Sequence, residues 1–281
     1  MSDITARIAR PARRKGLFLL LGAALLAMFL FVALFGGAIA PYDPNAQDLL
    51  VLLDPPSATH WFGTDEIGRD IAARVIVGTR ITLAIALTSV ALAGVGGVAL
   101  GLVAGYVHGA IDRVIMLCLD LLMTVPSLVL AIAVVAAIGA NAVGLVTAIT
   151  ISFIPPLARL VRSRVLELCN LDYVEAARTV GMRPKRILLR HILPNAESVI
   201  VIELSLMAGE AVLVGSALGF LGLGVQPPAP EWGAMLGASR QFLEVAPHVA
   251  VVPGLAVSLL VLAFNLFGDG LRDWLDPTAA T

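Results

Sequence analysis

The chain has 281 residues, 59% of them hydrophobic and only 14% charged, with a mean hydropathy of +0.94. That balance excludes a water-soluble globular protein, because several apolar runs reach the roughly 20 helical residues needed to cross a bilayer. The net charge of −1 decides little by itself, whereas the placement of the charges decides more.

In hydrocarbon every backbone polar group must be paired internally, so the expected class is an all-α membrane protein. Six spans are expected, over 17–40, 81–107, 114–138, 142–163, 197–222 and 248–268. The first follows Arg13, Arg14 and Lys15, and Ala38-Ile39-Ala40 resembles a cleavage site. The run exceeds the roughly 7–15 residues of a signal peptide's apolar core, and Pro41 would follow the cut directly, so an uncleaved anchor is expected.

Residues 65–80 read as an amphipathic helix preceding the second span. Asp65 with Arg69, and Asp70 with Arg74, stand at i,i+4 with the acid first, the more favourable order. Ile67, Ile71 and Val75 form its apolar stripe. Such a helix either braces the second span or docks an external protein. The chain thus divides into 1–80, an anchor with an outward-facing segment, and 81–281, a core that includes a loop at 166–195 and a tail. In the second span Gly94, Gly96, Gly97, Gly101 and Gly105 allow close helix approach, either within the chain or against another subunit.

Asp120, Glu203 and Glu210 fall inside spans, where an acid costs about 3 kcal/mol on insertion scales and therefore faces a partner or water. Asp120 stands six residues before Pro126, where a bend is expected. For Glu203 the expected role is structural. Asp120 and Glu210 are candidates for a transport pathway. Cys118 and Cys169 read as free thiols, and the four histidines lack metal-ligand spacing.

Between the fourth and fifth spans lies a polar stretch, DYVEAARTVGMRPKRILLRHILPN, at 172–195. Asp172 can cap a helix, with Glu175 three residues on in capping-box spacing, and both acids suit the positive end of the helix dipole. Gly181 is placed to stop that helix in the left-handed conformation. Pro184 suits the first turn of a second helix, which Pro194 is expected to end. Farther on, Pro227, Pro228, Pro230 and Trp232 predict a rigid loop or an outer lid over a pathway, making Trp232 a further pathway candidate.

Counting Lys and Arg at the ends of the spans gives fifteen on one side, including the 159–195 segment, against four on the other. The positive-inside rule then puts both termini and the 172–195 stretch in the cytoplasm. Only Lys15 and Lys185 are lysines, followed by Gly and Arg, so no phosphate-cradling G-x-x-x-x-G-K-[ST] loop exists.

Glu175-Ala176-Ala177, Gly181 and Leu193-Pro194 resemble the EAA loop of ABC importer permeases, and the His-Ile-Leu-Pro-Asn ending resembles their dipeptide, oligopeptide and nickel branch. FGTDEIGRDIAARVIVGTR (62–80), FLGLGVQPPAPEWGAML (220–236) and FGDGLRDWLDP (267–277) are similar to signatures of the second permease subunit of that branch. The resemblance implies the six-helix type I permease fold with a cytoplasmic coupling helix. Residues Asp172, Tyr173, Glu175, Ala176, Ala177, Gly181, Leu193 and Pro194 would contact the ATPase or carry its motion. It implies a bacterial inner-membrane location, a heterodimer with a second permease, two ATPase subunits that hold ATP and Mg, and an extracytoplasmic peptide-binding protein. Asp65, Arg69, Asp70 and Arg74 are the candidates for docking that protein. No cofactor or catalytic residue is expected in the chain itself. Where the family commonly carries Glu five residues before Phe220, this chain has Gly215. The cargo stays open among peptides, glutathione, nickel chelates and haem-like ligands. The competing classes are an ion-gradient transporter, for which no internal repeat is seen, and an intramembrane enzyme, for which no H-E-x-x-H is present.

Overall fold

The computed structural model describes residues 15–275, whose regular elements are helices, with no strand among the described residues. Arg7, Arg10, Arg13 and Arg14, which weigh in the orientation argument, lie outside the described residues. Five helices are long and apolar enough to cross a membrane: α1 (Lys15–Ile39), α2 (Ile71–Val107), α5 (Ala142–Cys169), α8 (Leu193–Phe220, continuing a helical stretch from Pro184) and α10 (His248–Leu275). Between α2 and α5, α3 (Gly109–Met123) and α4 (Ser127–Ile138) meet at a 90° bend. The bend falls at Pro126, which cannot continue a helix through its missing N–H.

Packing fixes how often the chain crosses. Gly97, Gly101 and Gly105 of α2 lie against Leu157, Val161 and Val165 of α5, so the numbers rise together and the two helices run parallel. A chain leaving one end of α2 must return to the other end before α5 can start. The bent α3–α4 pair makes that return, which gives six crossings. The glycines therefore serve packing within the chain: a Cβ on Gly101 would come within 2.6 Å of the Ala158 carbonyl oxygen, the close backbone approach that small residues permit in lipid. Gly94 meets Leu204 of α8. On the other side of α8, Gly209 lies against Phe264 and Gly268 against Leu206, so α8 and α10 are antiparallel. Gly270 of α10 meets Leu19, which puts the start of α1 and the end of α10 at one end of the bundle.

Two expected boundaries move. Residues 65–70 are not helical, and α2 starts at Ile71 and runs unbroken through residue 80. The cause is local. Gly68 turns the chain at φ +75°, and the Asp70 carboxylate then accepts from the Ala73 N–H at 2.7 Å, capping α2. Ile71, Ala72 and Ala73 are all buried, so this turn of helix has no water-facing side. At this same end of the bundle, short α9 (Trp232–Ser239) packs against α8, α10 and α2, its Trp232 fully enclosed.

Candidate functional site

The polar stretch between α5 and α8 builds a lever at the end of the bundle. Helix α6 (Asp172–Thr179) follows Leu171, and no side chain caps it. The capping box expected of Asp172 and Glu175 does not form, because Asp172 already lies inside the helix and the Val174 and Glu175 N–H groups donate to the Leu171 carbonyl at 2.9 and 3.2 Å. The two acids act on the helix dipole alone. The far end is as the sequence indicates. Gly181 takes φ +75°, Met182 N–H donates to the Ala177 carbonyl at 3.1 Å and Gly181 N–H to Arg178 at 3.0 Å, the paired bonds of a Schellman stop.

Helix α6 buries Val174 and Ala177 against its own chain and turns Tyr173, Glu175, Ala176 and Thr179 outward. Ala177 is therefore a packing residue, while Ala176 is exposed. Arg178 anchors the helix to the end of α2, its guanidinium 5.4 Å from the Tyr106 ring centroid.

After Gly181, α7 (Pro184–Ile187) starts with Pro184 in its first turn. Pro194 does not end this helix. A π turn over Leu188–Ile192 carries it into α8, with Leu193 N–H donating to Leu188. The extra residue in the turn accommodates the ring of Pro194, which has no N–H to return and would crowd the preceding carbonyl in a regular helix. The lever is thus one helical body from Pro184 to Phe220. His191 sits in the π turn, its ring 6.4 Å from that of Tyr173 and its Nε2 buried without a partner.

At the other end, the four charged residues considered for docking are interior. Asp65 and Arg74 are each 4% exposed, and Arg69 and Asp70 are buried as well. Arg69 pairs with Asp65 at 2.6 Å and with Glu66 at 3.0 Å. Asp70 does not pair with Arg74: it caps α2 and meets His60 at 2.9 Å. Arg74 turns to Asp65 and to the Pro44 carbonyl at 3.0 Å. The cluster ties the 41–70 segment to α2, so these side chains offer no docking surface.

The pathway candidates separate. Trp232 is core, donating from its ring to the Val75 carbonyl at 3.0 Å and meeting Phe29 edge-on. Asp120 of α3 is bound by Arg159 of α5, and Asp112 is held bidentately by Arg162 at 2.6 and 2.7 Å. These two pairs tie α3 to α5. Glu210 lines a cleft of about 310 Å³, and Glu203, for which a structural role was expected, lines it too. Opposite the acids stand Pro126 and Ser127 at the α3–α4 bend and Ser152, Pro155 and Pro156 of α5.

Sequence reasoning missed Arg159, Arg162, Arg178 and Glu231. The first three read as positive-inside charge, since sequence spacing gives no sign that their partners stand on helices many residues away. Glu231 accepts from the Gly233 and Ala234 N–H groups at 2.8 Å each and caps α9. The run Pro-Glu-Trp-Gly carries that signal in its Glu just ahead of a helix start.

Residues 97–281 match the family described as binding-protein-dependent transport system inner membrane component. The chain is 48% identical over 263 residues to the glutathione transport system permease protein GsiD of Pectobacterium atrosepticum, covering 93% of this chain and 85% of that protein. It is 47% identical over 251 residues to the proteins of the same name from Escherichia coli O6:K15:H31 and Shigella boydii, covering 89% of this chain and 83% of each.

Proposed function

The chain belongs to the family of binding-protein-dependent transport system inner membrane components, and on that premise we propose how its parts share the work of import. It is a multi-pass inner-membrane permease subunit of an ATP-driven importer and not an enzyme. Its ATPase and binding-protein partners supply energy and cargo. We propose that it pairs with a second, related permease, that two ATPase subunits hold ATP and Mg, and that both termini and α6 face the cytoplasm.

One observation carries the coupling reading: α6 projects from the bundle with Tyr173, Glu175 and Ala176 exposed, and it is joined at Gly181 to a helix continuous with the fifth crossing. A partner that grips α6 displaces Pro184–Phe220 as one body, which couples the nucleotide site to the membrane. Exposed Leu171, Val180 and Leu189 add apolar surface at the same end, suited to a protein partner rather than to water.

The cargo we propose is a short peptide, glutathione included. Glutathione is itself a tripeptide, and it is the cargo in the names of the relatives. The full importer, reconstituted in proteoliposomes with its binding protein and no ion gradient, should accumulate labelled glutathione or dialanine only when ATP is enclosed on the ATPase side. ATP-independent uptake driven by an imposed ion gradient would refute this reading.

A further inference from the structure

We propose that the cleft between α8, α5 and the α3–α4 bend is a binding site, within the translocation path, for the free amino end of the peptide cargo, and that Glu203 and Glu210 receive its ammonium group. This rests on the peptide-importer reading and adds to it which chemical group is recognised inside the membrane.

Glu203 and Glu210 are seven residues apart, two turns of α8, and so share a face. Both line the same cleft near the middle of the crossing, where an uncompensated carboxylate is most costly. Among the described residues neither takes part in an ion pair, whereas Asp112 and Asp120 each hold an arginine. The fold thus leaves the charge of both cleft acids without a basic partner of its own.

The opposite wall offers acceptors of a second kind. Pro155 and Pro156 lie inside α5 and line the cleft. A proline in a helix interior returns no N–H to the carbonyl four residues back. The carbonyls of Ile151 and Ser152 therefore lose their regular helical donors, and Ser152 itself lines the cleft. An ammonium group has three donors and no acceptor. Two carboxylates on one wall, with Ser152 and its undonated carbonyl on the other, suit it.

The same cleft contains the start of α4 at Ser127. The first turn of a helix carries partial positive charge and unpaired N–H groups. A bare cation would be repelled there, whereas a short zwitterionic peptide can present its ammonium to the acids and its carboxylate to the helix start; in glutathione both charges stand on one carbon. The volume of about 310 Å³ falls at the small end of ligand sites, the size of an amino-acid unit rather than of a whole long peptide.

The test uses the assembled importer. Uptake of glutathione and dialanine is compared in the unaltered complex and in Glu203→Gln, Glu210→Gln and the double variant. The double variant should lose about tenfold or more of its uptake, the scale of one charge-assisted hydrogen bond. Glu210→Asp should retain more than Glu210→Gln. A second measurement needs no variant. A lipid-soluble carbodiimide should label Glu210 in the unaltered complex, and either free peptide presented on its binding protein during turnover should slow the labelling. The N-acetylated peptides should not. Normal uptake by the double variant, or labelling indifferent to a transported peptide, overturns the site. If the unaltered complex imports neither peptide, the cargo reading fails first and this site falls with it.

Discussion

Glu231 shows what a single buried charge does in this molecule. It is 1% exposed, holds the first two N–H groups of α9 and packs over Gly219, where a Cβ would come within 2.5 Å of its Oε2. Burial pushes its carboxyl above the ordinary 4.5, and the two backbone bonds offset part of that. The folded protein therefore keeps this proton to higher pH than the unfolded chain. As pH rises the unfolded state releases the proton first, so the contribution of Glu231 is fully present below 4.5 and declines as pH climbs through the folded value. Glu231→Gln keeps the volume and removes the charge. Melting of the detergent-solubilised complex should show the Gln variant gaining on the parent from pH 4.5 upward, and a melting difference that stays flat with pH contradicts the account. The buried Ser216 hydroxyl, which has no hydrogen-bond partner, shares a small cavity with Glu231 and Thr82.

Among elements, the α2–α5 pair carries the architecture. Its glycine stripe lets two parallel helices touch over several turns, and the broken α3–α4 crossing is the consequence of that parallel course. Gly101→Leu drives a side chain into the Ala158 carbonyl and the Val161 side chain, both at 2.6 Å from its Cβ, an overpacking that the stacked backbones cannot absorb. Size-exclusion of the detergent extract should show the folded species largely lost for Gly101→Leu and kept for Gly37→Leu, whose Cβ meets nothing within 4 Å. Equal recovery of both would refute the packing role. The six crossings, the bend at Pro126, the stop at Gly181 and the start at Pro184 were all legible in the sequence, because apolar length, proline chemistry and left-handed glycine are local properties. The ion pairs Asp112–Arg162 and Asp120–Arg159 were not, since each joins α3 to α5 across 50 and 39 residues of chain. Nor was the interior position of Asp65, Arg69, Asp70 and Arg74: their i,i+4 spacing reads as a solvated helix face, and only the packed 41–70 segment buries them. The π turn at Leu188–Ile192 was hidden for a further reason, because Pro194 alone signals a break as readily as a continuation.

In the whole molecule, the two ends have different mechanical characters. The end holding α9 and the 41–70 segment is a rigid assembly of buried charge pairs, caps and Trp232. The other end holds α6, braced by Val174, Ala177 and Arg178 yet open on its Tyr173–Glu175–Ala176 side. Force applied at α6 passes through Gly181 into Pro184–Phe220, the helical body that carries Glu203 and Glu210. The proposed points of energy input and cargo contact are thus joined by one stretch of chain. The most direct measurement is ATP hydrolysis and peptide uptake by the assembled importer carrying Ala176→Trp, which adds bulk on the exposed face of α6 and touches no crossing. Both activities, stimulated by loaded binding protein, should fall about tenfold or more, a coupling loss of roughly 1.4 kcal/mol, while the chain inserts and pairs as before. Normal uptake with the ATPase still bound would mean that α6 is a connector and would contradict the account.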